Sequence, residues 1–193
     1  MVKARARRFA VASLIALIVG VVGGWVLSRS SDDVDAKLTN PGVVQDPTIG
    51  TNADTRGETF RFARARSVAT GEISTPALDG RPTVINFWYS TCPPCREEMP
   101  VLAAAARKHS GSVTFIGINP NDTVESATAF LGRFGITYAN WLDERGDQLA
   151  AARVGTMPTT FFLDPDGRIV SMHAGGISAD ELEAGIAELG VTG

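Results

Sequence analysis

Hydrophobic and polar positions divide the 193-residue chain into three regimes. From Phe9 to Leu27 no residue carries a charge, and Ser13 is the only polar side chain. A helix of that length reaches about 28 Å at 1.5 Å per residue, close to the ~30 Å of bilayer hydrocarbon. Residues 29–56 are polar, punctuated by Asn40-Pro41-Gly42, Asp46-Pro47 and Gly50, and show neither helix nor strand period. That pattern predicts a flexible linker. From Gly57 the apolar periodicity of a folded domain sets in and continues to residue 193.

Within this third regime Thr59-Phe60-Arg61-Phe62-Ala63 alternates as a half-exposed strand would, and Val68 to Ser74 supplies another short one. Thr83 to Tyr89 is an almost unbroken apolar and β-branched run, which suits a central strand covered on both faces. After Ser90-Thr91-Cys92-Pro93-Pro94-Cys95 the pattern turns helical to Lys108, with Pro100 predicting a kink. Val113 to Ile118 is a second buried strand. Asp122, with Glu125 three residues on, is the expected cap of a helix ending near Phe134. A short helix follows around Asp147 to Arg153. Thr159 to Leu163 and Arg168 to Met172 flank the turn Asp164-Pro165-Asp166-Gly167 as a hairpin, and Ser178 with Glu181 opens a last helix to about Leu189. The order predicts an α/β fold with a mixed sheet.

Charge changes the picture at the amino terminus. Lys3, Arg5, Arg7 and Arg8 crowd residues 1–8, which contain no acid, while Asp32, Asp33 and Asp35 follow the apolar run. The positive-inside rule then leaves residues 1–8 in the cytoplasm, makes residues 9–28 a single transmembrane anchor and exports the rest. A signal peptide cleaved after Ser28 is the alternative, although its apolar core is usually ~7–15 residues. Both place the domain outside the cytoplasm. With four of its 18 basic residues in that leader, the remainder is more acidic than the net charge of −3, which argues against nucleic acid as a partner.

Candidate chemistry rests on the only two cysteines, Cys92 and Cys95. At a strand-to-helix junction the first sulfur meets free N–H groups and the positive end of the helix dipole. The Cys92 thiol is therefore expected to fall from about 8.5 toward ~3.5–7.5, with Cys95 more shielded in the first turn. One sulfur attacks a partner disulfide and the other resolves the mixed disulfide. A structural disulfide remains open, though so small a loop restrains little chain entropy. His109 and His173 are not at metal-ligand spacing from the pair, and no metal site is expected. Both histidines read as surface residues, and Tyr138 and Trp141 as core or rim.

Asn86-Phe87-Trp88, then Cys92-Pro93-Pro94-Cys95-Arg96-Glu97-Glu98-Met99-Pro100, then Val154-Gly155-Thr156-Met157-Pro158-Thr159-Thr160-Phe161-Phe162-Leu163-Asp164, resemble the thioredoxin superfamily and its membrane-anchored TlpA/ResA-like branch. The resemblance covers roughly residues 58–190 and implies a thioredoxin-like fold, a central mixed sheet flanked by helices. It makes Cys92 the attacking and Cys95 the resolving thiol. Pro158 becomes a cis-proline presenting backbone to an extended substrate, Met157 a shaper of substrate preference, and Trp88 a support under the active-site loop. Thioredoxin itself has Asp where this chain has Asn86. Glu98, at i,i+3 from Cys95, is then the nearby acid/base, or else a solvated helix carboxylate.

The apolar leader places the domain outside the cytoplasm, and the resemblance implies a membrane-tethered protein disulfide reductase there. As in that branch, its partners would be exported protein disulfides, including those of apocytochromes in cytochrome c maturation, and a membrane thiol reductant as electron donor. No cofactor beyond the dithiol is called for. A general disulfide oxidase, a thiol peroxidase and a copper metallochaperone would use the same cysteines.

Overall fold

The computed structural model describes residues 52–191. The expectations for residues 1–8, for the anchor over 9–28 and for the linker up to residue 51 lie outside the described residues. Among the described residues no helix is long and apolar enough to cross a membrane.

Seven strands form one sheet: β1 (Ala65–Ser67), β2 (Ile73–Ser74), β3 (Thr83–Phe87), β4 (Thr114–Asn119), β5 (Ala139–Leu142), β6 (Thr159–Leu163) and β7 (Ile169–Ala174). Their order across the sheet is β2-β1-β5-β4-β3-β6-β7. The centre β5-β4-β3 is parallel, and the flanking pairs β3–β6, β6–β7, β1–β5 and β1–β2 are antiparallel. The helices are α1 (Pro93–Lys108), α2 (Val124–Phe134), α3 (Asp147–Ala152) and α4 (Ala179–Glu188).

Period-two alternation along β3 sorts its side chains. Ile85 and Phe87 enter a core with Phe60, Ile116, Ile118, Phe161, Leu163 and Ile169. Val84 and, just past the strand, Trp88 enter the other core, with Cys95, Met99, Leu102, Phe130, Phe162 and Leu182. Asn86 has the same parity as Val84 and Trp88, so it points toward α1. Every residue of β3 and β6 is buried, as strands covered on both faces require.

Several expectations are corrected. Thr59–Ala63 is extended but reaches the sheet only through the isolated bridge Thr59–Arg168. Farther along, the Gln148 side-chain amide replaces a neighbouring strand, accepting from Ala63 N–H at 2.7 Å and donating to Arg61 C=O at 3.0 Å. The alternation of this segment instead reflects Phe60 and Phe62, whose rings pack edge to face 5.0 Å apart. Of the strand expected over Val68 to Ser74 only the end, β2, forms; residues 68–70 are a turn, and the partner strand β1 lies just before the expected range. β5 was not foreseen at all. α2 is capped by Thr123 and not Asp122: Thr123 and Ser126 make a reciprocal capping box, because the Asp122 carboxylate is taken by Ser90 and Asn119. His109 is buried and lies 3.1 Å from Glu183 on α4. It caps the C-terminus of α1, which packs against α4 and so covers the ring. The helix expected to run through Pro100 to Lys108 is present as the single element α1.

Candidate active site

The strand β3 delivers the chain to the cysteines, and α1 begins on them. Cys92 is the N-cap, with extended backbone, and its Sγ accepts from Cys95 N–H at 3.2 Å. Pro93 and Pro94 occupy the first helical turn, where their missing N–H groups cost nothing. Cys92 and Cys95 are joined by a disulfide with their Cα atoms 5.2 Å apart. Cys92 is 2% exposed and Cys95 fully buried, while Thr91, Pro93 and Pro94 around them face solvent.

The turn into the motif is held from the side. Ser90 N–H and Oγ each donate to Asp122 at 2.7 Å, and Asn119 Nδ2 donates to the same carboxylate at 2.6 Å. Beneath it Trp88 is buried, stacked on Phe130 with ring centroids 4.9 Å apart, and its Nε1–H donates to Asn140 Oδ1 at 3.0 Å. Gly117 makes room for that bond, since a Cβ there would run into Asn140 Oδ1 and Trp88 Nε1.

The Met157–Pro158 peptide bond is cis. In the β3–β6 ladder Phe87 faces Thr159, so Pro158 lies beside the chain as it leaves β3 for the motif. Its C=O accepts from Gly175 N–H at 2.8 Å, and the adjacent Gly176 lies against Pro94. Among the described residues the Met157 backbone N–H and C=O have no hydrogen-bond partner. Met157 is half-buried.

Glu98 is not a solvated helix carboxylate: it is 2% exposed. One oxygen accepts from Asn86 Nδ2 at 2.9 Å and the other from Ile177 N–H at 3.0 Å. Burial pushes its carboxyl up to about 7, against the opposing pull of those two donors. Asn86 Nδ2 also donates to Thr160 Oγ1 at 3.1 Å, and its Oδ1 is buried without a partner. Burial, and secondarily the Glu98 charge, holds the Tyr138 hydroxyl well above its ordinary range.

The structure thus brings Cys92, Cys95, Trp88, Asn86, Glu98, Met157 and Pro158 to one end of β3 and its neighbours. Sequence reasoning missed Asp122 as an anchor of the motif, and it missed Gly117 and Asn140 as supports of Trp88. Each sits on or just after β4 or β5, and only the pairing of β4 with β3 and of β5 with β4 brings it near.

A cysteine pair at a helix N-cap beside a cis-proline, on a mixed sheet of this order, defines a thioredoxin-like redox domain. The Redoxin family model matches residues 58–186, and the chain belongs to that family. It is 29% identical over 112 residues to the thiol-disulfide oxidoreductase ResA of Halalkalibacterium halodurans, covering 58% of this chain and 64% of that one. It is 28% identical over 122 residues to the sporulation thiol-disulfide oxidoreductase A of Bacillus subtilis, covering 61% and 73%. The match therefore spans just under two thirds of the ResA relative. Among solved structures, a secreted Mycobacterium tuberculosis disulfide oxidoreductase homologous to E. coli DsbE superposes with a TM-score of 0.59 at 29% identity, covering 65% of this chain and 94% of that one.

Proposed function

We propose that the chain is an extracytoplasmic thiol-disulfide oxidoreductase that reduces disulfides in exported proteins, apocytochromes awaiting haem among them. The observation that carries this reading is the Cys92 sulfur at the N-cap of α1, accepting the Cys95 N–H, at the end of β3 where the cis Met157–Pro158 bond also lies. The apolar run and flanking charges of residues 1–35 support the anchored, exported placement.

In the reduced protein the Cys92 thiolate attacks one sulfur of a partner disulfide, and the other partner sulfur leaves as a thiolate that takes up a proton. Cys95 then loses its proton and attacks the Cys92 sulfur. The second partner sulfur departs, and the Cys92–Cys95 disulfide forms. Two electrons have passed to the partner. A membrane dithiol returns them by the same exchange in reverse, with no cofactor involved. Glu98, three residues beyond Cys95 on α1 and titrating near 7, holds or releases a proton beside this chemistry at working pH. Met157 offers its backbone to an extended partner chain, as a strand is added to a sheet edge.

A trapping experiment assigns the roles. Cys95→Ser should accumulate a mixed disulfide between Cys92 and an oxidised protein substrate, and Cys92→Ser should accumulate none. Trapping through Cys95 in the Cys92→Ser chain would contradict the assignment.

A further inference from the structure

Asn52 precedes the domain expected from Gly57, yet its side chain grips the loop that carries the cis bond. Its Oδ1 accepts from Gly155 N–H at 2.7 Å and from Thr156 N–H at 3.0 Å. Its Nδ2 donates to Thr159 Oγ1 at 2.8 Å, and that hydroxyl donates onward to Thr156 C=O at 2.7 Å. One amide therefore bridges both sides of Met157–Pro158, two residues before the pair and one after. From the other direction the loop is tied at Pro158 C=O by Gly175 N–H. Between these two ties stands the Met157 backbone, whose N–H and C=O have no hydrogen-bond partner among the described residues. No hydrogen bond of the Asn52 side chain goes to Cys92, Cys95, Asn86 or Glu98, so its influence on exchange runs through the loop.

We propose that Asn52 is a positioning residue for disulfide exchange, fixing the 155–159 loop so that Met157 receives the backbone of an extended partner chain. It thereby sets the rate with peptide and protein disulfides and leaves the redox chemistry of the cysteine pair untouched. The proposal rests on the reading that this loop receives substrate. A residue on the amino-terminal approach to the domain then belongs to its substrate-binding surface.

The test uses the full-length chain, reduced beforehand, against two probes: a short fluorescent peptide carrying a glutathione mixed disulfide, and a small aromatic disulfide without peptide backbone. Asn52→Ala should lower kcat/KM for the peptide about tenfold, mainly through KM, as misplacement of a binding group does. Its rate with the small disulfide and its equilibrium constant for exchange with glutathione should stay within twofold of the parent, which also reports an intact fold. Asn52→Asp, which keeps an acceptor for Gly155 and Thr156, should recover most of the peptide rate. An unchanged peptide rate in Asn52→Ala, or an equal fall with both probes, would overturn the proposal. Pro158→Ala separates the two levels. If it lowers the peptide rate while Asn52→Ala does not, only the role of Asn52 fails. If Pro158→Ala leaves the peptide rate unchanged, the loop is not the substrate surface and both readings fall.

Discussion

Glu98 shows how burial sets chemistry at the scale of one residue. Its carboxyl titrates near 7, above the ordinary carboxylate range, because desolvation outweighs the two donors facing it. The usual carboxylate linkage is therefore reversed. Between the unfolded and folded pKa values the native state holds the extra proton, so stability is greatest at low pH and declines as pH rises toward 7. A shift of this size corresponds to about 3 kcal/mol at most. Denaturant unfolding of the oxidised protein at pH 5 and pH 8 should show this decline in the parent and not in Glu98→Gln; equal slopes would contradict it. Trp88 poses a packing question of the same kind. Gly117→Ala pushes a methyl group into the Trp88–Asn140 hydrogen bond and should cost about 2–3 kcal/mol, measured as a fall in denaturation midpoint. The two cysteines could be read from sequence because their chemistry depends on a spacing of three along one helix. The Asn86–Glu98 bond could not, because it depends on β3 parity and on how α1 lies across the sheet.

At the scale of elements, strong local patterns survived and weak ones gave way to tertiary partners. β3, α1, the β6–β7 hairpin and the capping box of Ser178 and Glu181 on α4 lie where hydrophobic period and cap chemistry put them, and α2 lies where its period put it with the cap moved by one residue. β5 escaped notice because its Asn140 looks like a loop residue, whereas it is buried and bonded to Trp88. Thr59–Ala63 misled in the opposite sense: its alternation is real, but a glutamine side chain takes the hydrogen bonds that a strand would supply. At α2 two adjacent residues compete for one cap, and the structure gives them separate tasks. Thr123→Ala should cost about 1 kcal/mol of stability through loss of the cap and leave exchange rates unchanged. Unfolding curves and a peptide-reduction assay check both halves, and a slowed exchange would mean that α2 itself, and not only Asp122, shapes the motif.

Across the whole molecule the described body is a thioredoxin-like domain whose cysteine-bearing end gathers β3, the N-terminus of α1, the cis-proline loop and the turn after β7. Its hydrogen-bonded framework extends back to Asn52, five residues ahead of the Gly57 start read from hydrophobic period, because a polar side chain docking on a loop leaves no periodic trace. The direction of electron flow is a property of the whole protein. It depends on how the folded state weighs a thiolate at Cys92 and a carboxyl at Glu98 against the closed disulfide, and no single residue carries it. The most direct test of the account is the reduction potential of the Cys92–Cys95 pair in the full-length chain, equilibrated against defined thiol buffers. A reductant drawing on a membrane electron supply predicts a value at or below about −230 mV. A value near −120 mV would make the protein a disulfide-forming oxidase and contradict the reading.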